Sequence, residues 1–532
     1  MQKVLLGVEA IAQGAIDGGM SGVYAYPGTP STEITEYIQH NIYAREKKLH
    51  SNWSTNEKTA MESALGMAYA GKRAMVCMKH VGLNVAADNF MNAAVTGVNG
   101  GMVVTVADDP SMHSSQNEQD SRYYGRFAQI PVLEPSNQQE AYDMAYVAFE
   151  LSEKFNVPIM IRITTRMAHS RSIVNLKETQ PENQIKLPSD PRQFVLMPSI
   201  ARKQYKKLIA NQVNFEINSN ESPFNQYFEG DNKSIGIIAC GITMNYLLEN
   251  FPDGCPYPTV KVSQYPMPRK LITRLSQETE SILVLEEGYP IIEELMKGYL
   301  EKENVKGRLD GTLPREGELN PDFVAKALGL PVKKGFIVPG MVSNRPPALC
   351  VGCSHHDVFA ALNQAIVQLG TGRVFSDIGC YTIAALEPYN SINTCVDMGA
   401  SITMAKGAAD AGLVPAIAVI GDSTFTHSGM TGLLDAVLEN SPITIIISDN
   451  ESTSMTGGQE SSAKGRIEDI CEGIGVLPDH IHVVIPVKKN HDALVKLIKD
   501  ELDYPGVSVI IPRRVCVQKN RRDVKIRQAQ KQ

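Results

Sequence analysis

Short β-rich apolar runs separated by segments of helical spacing recur from one end of the chain to the other, and this alternation narrows the fold more than any other feature. The runs are VYAYP (23–27), RAMVCM (73–78), MVVTVA (102–107) and PIMIRI (158–163), then SIGIIACG (234–241), VKVSQYP (260–266) and SILVLEEG (281–288), and beyond residue 350 RVFSDIG, PAIAVIGD, PITIIISDN, HVVIPV and VSVIIP. Strands that alternate with helices are joined by crossovers and therefore lie parallel. The expected class is α/β, with three parallel-sheet domains. The chain has 532 residues, room for three at roughly 100–200 residues each.

Shifts in composition set the expected boundaries. Residues 1–175 form the first α/β domain. Residues 176–232 turn to Asn, Gln, Ser, Pro and Lys without a sustained apolar period and read as a linker or irregular crossover. A smaller α/β unit covers 233–320, a Pro-rich connection 321–348, the third domain 349–516, and a basic, solvated tail 517–532. A net charge of −7 is too mild to make nucleic acid or an anionic membrane the main partner. No apolar run approaches the ~18 residues of a membrane helix, and Glu9 and Asp17 interrupt the opening segment before a signal-peptide core can form. The expected location is the cytoplasm. Nine cysteines, an odd number at low density, suit free thiols and a metal site in a reducing compartment.

The most informative stretch is GDSTFTHSGMTGLLDAVLENSPITIIISDNESTSMTGG. Gly421, Asp422 and Ser423 follow the strand PAIAVI, and Asp449 and Asn450 end the strand PITIIIS. Adjacent parallel strands end side by side, so Asp422 and Asn450 converge on one crevice. A carboxylate, an amide oxygen and a backbone carbonyl just beyond Asn450, with two diphosphate oxygens, make a reasonable shell for Mg²⁺. Gly-Asp and Asp-Asn are also common turns at strand ends, and spacing alone does not separate the two readings.

These residues resemble the diphosphate-binding motif of thiamine diphosphate enzymes, with Ser423 in place of the more general Gly. The resemblance implies that Asp422, Asn450 and the Ser452 carbonyl hold Mg²⁺ on the cofactor diphosphate beside Gly421 and Ser423. In DMGASITMAKG it implies that Met398 and Gly399 face the same cofactor. Thiamine chemistry also needs a buried carboxyl beside the aminopyrimidine ring. Glu57, near the start of an apolar-faced helix after Ser54 and Thr55, is the candidate, although a first-turn Glu is also favoured by the helix dipole alone. The stretches YPGTPSTEI, NEKTAMESALGMAYAG, MKHVGLNVAADNF and ADDPSMHSSQNEQDSRYYGRFA resemble the large subunit of indolepyruvate:ferredoxin oxidoreductases, of the thiamine-dependent 2-oxoacid:ferredoxin oxidoreductase superfamily. Glu57 falls on that family's activating glutamate. The resemblance further implies that Arg122 grips the carboxylate of a 2-oxo acid and that Thr29 bonds near its keto oxygen. Arg122 can alternatively pair with Asp120 or Glu118, and Thr29 can simply shape its turn.

Cys350 and Cys353 form CVGC, Cys380 follows in SDIGCYT, and Cys516 comes after VSVIIPRR. Spacing alone leaves zinc, an iron-sulfur cluster or a redox dithiol open. The resemblance assigns all four to a 4Fe-4S cluster. It also implies a diphosphate domain, a pyrimidine domain and a transketolase C-terminal-like domain, a small β subunit, coenzyme A and ferredoxin. The expected reaction is oxidative decarboxylation of an aryl 2-oxo acid to an acyl-coenzyme A and CO₂. Many relatives carry a two-cluster ferredoxin run, which is not found here, so electrons are expected to leave to a soluble acceptor or another subunit, with the basic tail expected to attract an acidic ferredoxin. The rivals are a non-oxidative thiamine-dependent decarboxylase or carboligase, which needs no cluster, and a non-catalytic scaffold.

Overall fold

The computed structural model describes residues 1–532 except 191, 299–302, 333–334, 336–337, 344, 346 and 530–532. Part of the expected 321–348 connection and the end of the expected tail lie outside the described residues. The chain divides into two compact units, residues 1–336 and 337–532.

In the first unit a seven-stranded sheet runs in the order Gln264–Tyr265, Val132–Leu133, Ile159–Thr164, Met102–Asp108, Ala74–Lys79, Gly22–Ala25, His50–Trp53. All neighbours are parallel except the first pair. The interior strand Ala74–Lys79 is buried along its whole length, as expected of a parallel strand covered on both faces. Its side chains alternate: Met75 and Cys77 join one hydrophobic cluster, Ala74, Val76 and Met78 the other. A second sheet of five strands contains Ile235–Cys240, Thr259–Val262, Ser281–Leu285 and Val305–Lys306 in parallel, with Gln226–Phe228 antiparallel at one edge.

Two features depart from the sequence reading of this unit. The segment 176–232 is no plain linker: it holds the helix Pro198–Asn220 and the edge strand Gln226–Phe228. The helix buries only Gln204, Leu208, Phe215 and Ser219, with Phe215 edge-on to Phe155 at 5.0 Å between ring centres. So narrow an apolar stripe leaves no clear period to read. The strand Gln264–Tyr265, from within the expected second domain, completes the sheet of the first, so the two expected domains share one unit.

The second unit is built on a five-stranded parallel sheet, ordered Val374–Ser376, Ala416–Gly421, Ile443–Ser448, Ser508–Pro512, Ile481–Val484. Alternation again feeds two clusters, Ala418 and Ile420 on one side, Ile417 and Val419 on the other. The tail, expected to be solvated and irregular, forms the helix Val517–Ala529. Its Lys519 donates to the Glu451 carbonyl at 2.8 Å and Arg522 to the Gly458 carbonyl at 3.1 Å. Two of the charges that suggested a free end therefore bind backbone acceptors. Among the described residues no helix is long and apolar enough to cross a membrane.

The first unit also requires close helix contact. The helix Gly7–Asp17 lies so near Gln138–Phe155 that a Cβ at Gly14 would stand 2.3 Å from the Tyr142 carbonyl oxygen. Because that obstacle is backbone, Gly14→Ala should lower stability by about 1–3 kcal/mol, measurable as an earlier thermal unfolding transition. An unchanged transition would show that the helices separate freely.

Candidate active site

In the first unit the carboxyl ends of Gly22–Ala25, Ala74–Lys79 and Met102–Asp108 lie along one edge of the sheet, where crevices form in open parallel sheets. Glu57 begins the helix Glu57–Tyr69 and is 5% exposed. Its cap is Asn56, whose side chain accepts the Thr59 N–H at 2.8 Å, rather than Ser54 or Thr55. Asn56 has the extended backbone that an N-cap needs. The Glu57 carboxyl lies over Gly82, where a Cβ would stand 2.5 Å from Oε1. Only glycine permits that approach. Thr29 is half-buried, and its carbonyl accepts the Ser114 hydroxyl at 3.5 Å.

Arg122 is placed differently from its expected role. It is 1% exposed, and each of its guanidinium N–H groups has an acceptor in the protein. Nε and Nη2 bind Asp120 at 2.9 and 2.5 Å, Nη1 binds the Tyr265 hydroxyl at 3.2 Å and Glu286 at 3.0 Å, and Nη2 also reaches the carbonyls of Glu287 and Tyr289 at 3.0 and 2.8 Å. No donor remains for a substrate carboxylate. Of the two sequence-level alternatives, pairing with Asp120 is the one found, and Arg122 leaves the substrate-binding set.

Lys79 was missed in the sequence because it reads as the polar end of an apolar strand. It is 8% exposed, and its Nζ donates to the Ser114 carbonyl at 2.6 Å and to the Ser114 hydroxyl at 3.3 Å. Burial pulls its ammonium down to about 8, against the opposing charge of Asp109.

In the second unit the register Gly421↔Ser448 brings the ends of two strands together. Asp422 is buried and its Oδ2 accepts the Ser452 N–H at 3.1 Å. The Ser454 hydroxyl lies 3.3 Å from both the Asn450 Oδ1 and the Ser452 carbonyl oxygen. A single atom thus touches two of the three expected ligand oxygens, and the third is tied to the backbone of the same loop. Burial, with Asp449 nearby, pushes the Asp422 carboxyl up to about 7. Ser423 pairs with the Thr453 hydroxyl at 2.8 Å. A buried carboxylate beside an amide and a carbonyl oxygen is a donor set suited to a hard cation.

Close by, Gly421 lies under the Tyr381 ring, where a Cβ would stand 2.7 Å from the ring edge. Gly399, at φ +94°, precedes the helix Ala400–Asp410 and leaves no room for a Cβ beside Ser428; Met398 is half-buried. Asp377, also missed in the sequence, accepts the Ser401 N–H at 3.3 Å and hydroxyl at 2.6 Å, and the Tyr381 hydroxyl. Burial pushes its carboxyl up to about 7. This pins the start of the helix that follows Gly399.

All four expected cysteines lie in this unit without disulfides. The Cys353 N–H bonds the Cys350 carbonyl at 3.0 Å, and the Cys516 N–H bonds the Asn450 carbonyl at 3.1 Å, bringing the remote Cys516 to the oxygen-donor loop. Burial pushes the Cys380 thiol up to about 12, with the charges of Cys353, Cys516 and Cys350 adding to it. The four sulfurs are therefore electrostatic neighbours. They do not form a single-ion cage; in a four-iron cluster each thiolate takes a separate iron, and the ligands stand wider apart. The His355 Nδ1 lies 3.2 Å from the Cys353 sulfur.

Because Arg122 binds Asp120 at 2.5 Å and also contacts Glu286, Arg122→Met should cost about 3–5 kcal/mol by removing the cation nearest to these buried carboxylates. Calorimetry and substrate titration distinguish the roles: a variant as stable as the parent but with a raised KM would restore Arg122 to the substrate site.

Residues 13–233 match the family model described as pyruvate flavodoxin/ferredoxin oxidoreductase, thiamine diP-binding, and residues 377–511 match the thiamine pyrophosphate enzyme C-terminal TPP-binding domain. The indolepyruvate oxidoreductase subunit IorA of Archaeoglobus fulgidus is 38% identical, the alignment covering 96% of this chain and 86% of that protein. The subunit of the same name from Methanothermobacter thermautotrophicus is 37% identical over the same shares. A solved structure of 2-oxoglutarate:ferredoxin oxidoreductase from Magnetococcus marinus is similar over 62% of this chain and 65% of that one, at 16% identity and a TM-score of 0.48.

Proposed function

The chain belongs to the indolepyruvate oxidoreductase subunit IorA family, and from that premise we propose that it catalyses the oxidative decarboxylation of an aryl 2-oxo acid. The products are an aryl-acetyl-coenzyme A and CO₂, and the two electrons pass through a 4Fe-4S cluster to ferredoxin. Oxidoreductase activity and thiamine diphosphate binding follow from the family and its two domain models. The aryl substrate follows the names of the relatives, and Mg²⁺, the cluster, ferredoxin, coenzyme A and a small β subunit complete the reading.

Bound thiamine would supply the carbon nucleophile and the electron sink that the decarboxylation needs. The residues of the chain do the rest. Glu57, buried over Gly82, holds and shares a proton with the aminopyrimidine. Thr29 donates its hydroxyl near the substrate keto oxygen. Asp422, Asn450 and the Ser452 carbonyl hold Mg²⁺ on the diphosphate, while Gly421, Ser423, Met398 and Gly399 let the cofactor approach the backbone. Cys350, Cys353, Cys380 and Cys516 hold the cluster, a one-electron acceptor that a bare side chain cannot replace.

The observation that carries the oxidative reading over non-oxidative decarboxylation is the grouping of these four cysteines in the unit that also contains the oxygen-donor loop, with Cys516 bonded through its backbone to Asn450. Anaerobic copurification with the small subunit should yield about four irons per chain beyond any held by its partner. Indolepyruvate, coenzyme A and ferredoxin should support turnover, and Cys353→Ser should lose iron and ferredoxin reduction together. Iron-free protein that releases aldehyde and CO₂ at full rate would favour the non-oxidative alternative.

The carboxyl of Glu57 is tested separately. Glu57→Gln should slow C2 proton exchange of bound thiamine by a factor of about 10²–10⁴, the range for loss of a general acid or base. Exchange at the parent rate, followed by NMR in deuterated buffer, would remove Glu57 from its role.

A further inference from the structure

We propose that Lys79 is the group that binds the carboxylate of the 2-oxo acid, in a subsite formed with Ser114 and the turn at Gly28 and Thr29. The proposal rests on the reaction proposed above and identifies the cation that Arg122, enclosed by its own acids, does not provide.

Three observations carry it. Lys79 is 8% exposed, yet among the described residues no carboxylate lies within ion-pair distance of its Nζ. Its two acceptors, the carbonyl and hydroxyl of Ser114 at 2.6 and 3.3 Å, are both neutral. An ammonium has three donors, so one N–H remains for a ligand. The acid whose charge acts on it, Asp109, is itself enclosed: Oδ2 accepts the Ser114 N–H at 2.8 Å and the Ser115 hydroxyl at 2.5 Å, and Oδ1 accepts the Thr165 hydroxyl at 2.7 Å. A buried cation without a contacting anion is costly, and the lowered ammonium described above is the expression of that cost. An arriving carboxylate supplies the missing partner.

Position completes the argument. Lys79 ends an interior strand of the sheet, at its carboxyl edge. A Cβ at Gly28 would stand 3.2 Å from the Lys79 Cβ, so the Gly28–Thr29 turn lies directly against it. The Ser114 hydroxyl that Lys79 contacts also reaches the Thr29 carbonyl. Three residues beyond Lys79 in the chain, Gly82 lies under the Glu57 carboxyl. The cation, the turn bearing Thr29 and the acid thus share one edge of the same unit.

The test uses the anaerobically purified complex loaded with thiamine diphosphate and two non-reacting probes, indole-3-acetate and indole-3-acetamide, which differ in the charge of the head group. Titration calorimetry should show the parent protein preferring the acetate by about tenfold or more, the scale of one charge-assisted bond. Lys79→Met should bind the two within about twofold of each other, and Lys79→Arg, which keeps the charge, should retain the preference at reduced affinity. Affinity for thiamine diphosphate, measured on the same samples, reports whether the fold survives. A Lys79→Met protein that keeps the parental preference, a parent with no preference, or loss of thiamine binding in both variants would overturn the proposal, the last by making Lys79 structural. Failure of the parent to turn over any 2-oxo acid, with a Lys79-dependent preference intact, would instead retract the proposed reaction and leave the carboxylate subsite standing.

Discussion

The first unit depends on a buried network of charge between its two sheets. Arg162, within the strand Ile159–Thr164 of the larger sheet, binds Asp108 at 2.7 Å, Glu134, and the Glu287 carbonyl at 3.0 Å. Arg122 binds Asp120 and Glu286, and Arg308 reaches Glu287 at 3.4 Å and the Glu286 carbonyl at 3.1 Å. Glu286 and Glu287 follow the strand Ser281–Leu285 of the smaller sheet. Burial pushes both carboxyls up to about 7 even beside guanidinium groups. Isolated charges could not be held here; a network in which each guanidinium faces several acceptors can. Apolar contact alone tolerates sliding, whereas directed ionic bonds set how the ends of the two sheets meet.

The network also holds the carboxyl edge that carries the proposed site. Asp108 is the last residue of its strand and Asp109 the first of the loop carrying Ser114. Fixing Asp108 to Arg162 fixes where that loop departs, and with it the acceptors of Lys79. The second unit uses a related device: Arg513 binds Asp449 at 2.6 Å and Glu468 through its other nitrogens. Asp449 lies between the strand Ile443–Ser448 and Asn450, so the oxygen-donor loop leaves the sheet from a point held by charge. In both units a guanidinium braces a carboxyl-end turn, as preorganised sites require.

The alternation of apolar runs was enough to read the parallel sheets, because a strand buried on both faces must be apolar throughout and its crossover must be long. Convergence of Asp422 with Asn450 was legible for the same reason: neighbouring parallel strands end together, and the register Gly421↔Ser448 follows that rule. The helix Pro198–Asn220 escaped because its few buried residues leave a weak period. The tail escaped because its charges suggested solvent, whereas Lys519 and Arg522 bind carbonyls of the 451–458 loop.

The amino-acid order by itself determined the α/β class and most of the parallel strands, since each depends on local pattern. Only the tertiary structure decided which buried cations are enclosed by acids and which meet neutral acceptors. Arg122 and Lys79 are both single basic residues beside apolar segments; Asp120 is legible as a local partner of Arg122, but the local sequence does not show that Glu286 completes the enclosure of the guanidinium while the ammonium is bound to the neutral Ser114. That difference is made by residues more than a hundred positions away, as Glu286 is from Arg122, because the free energy of a buried charge depends on every partner that folding brings to it.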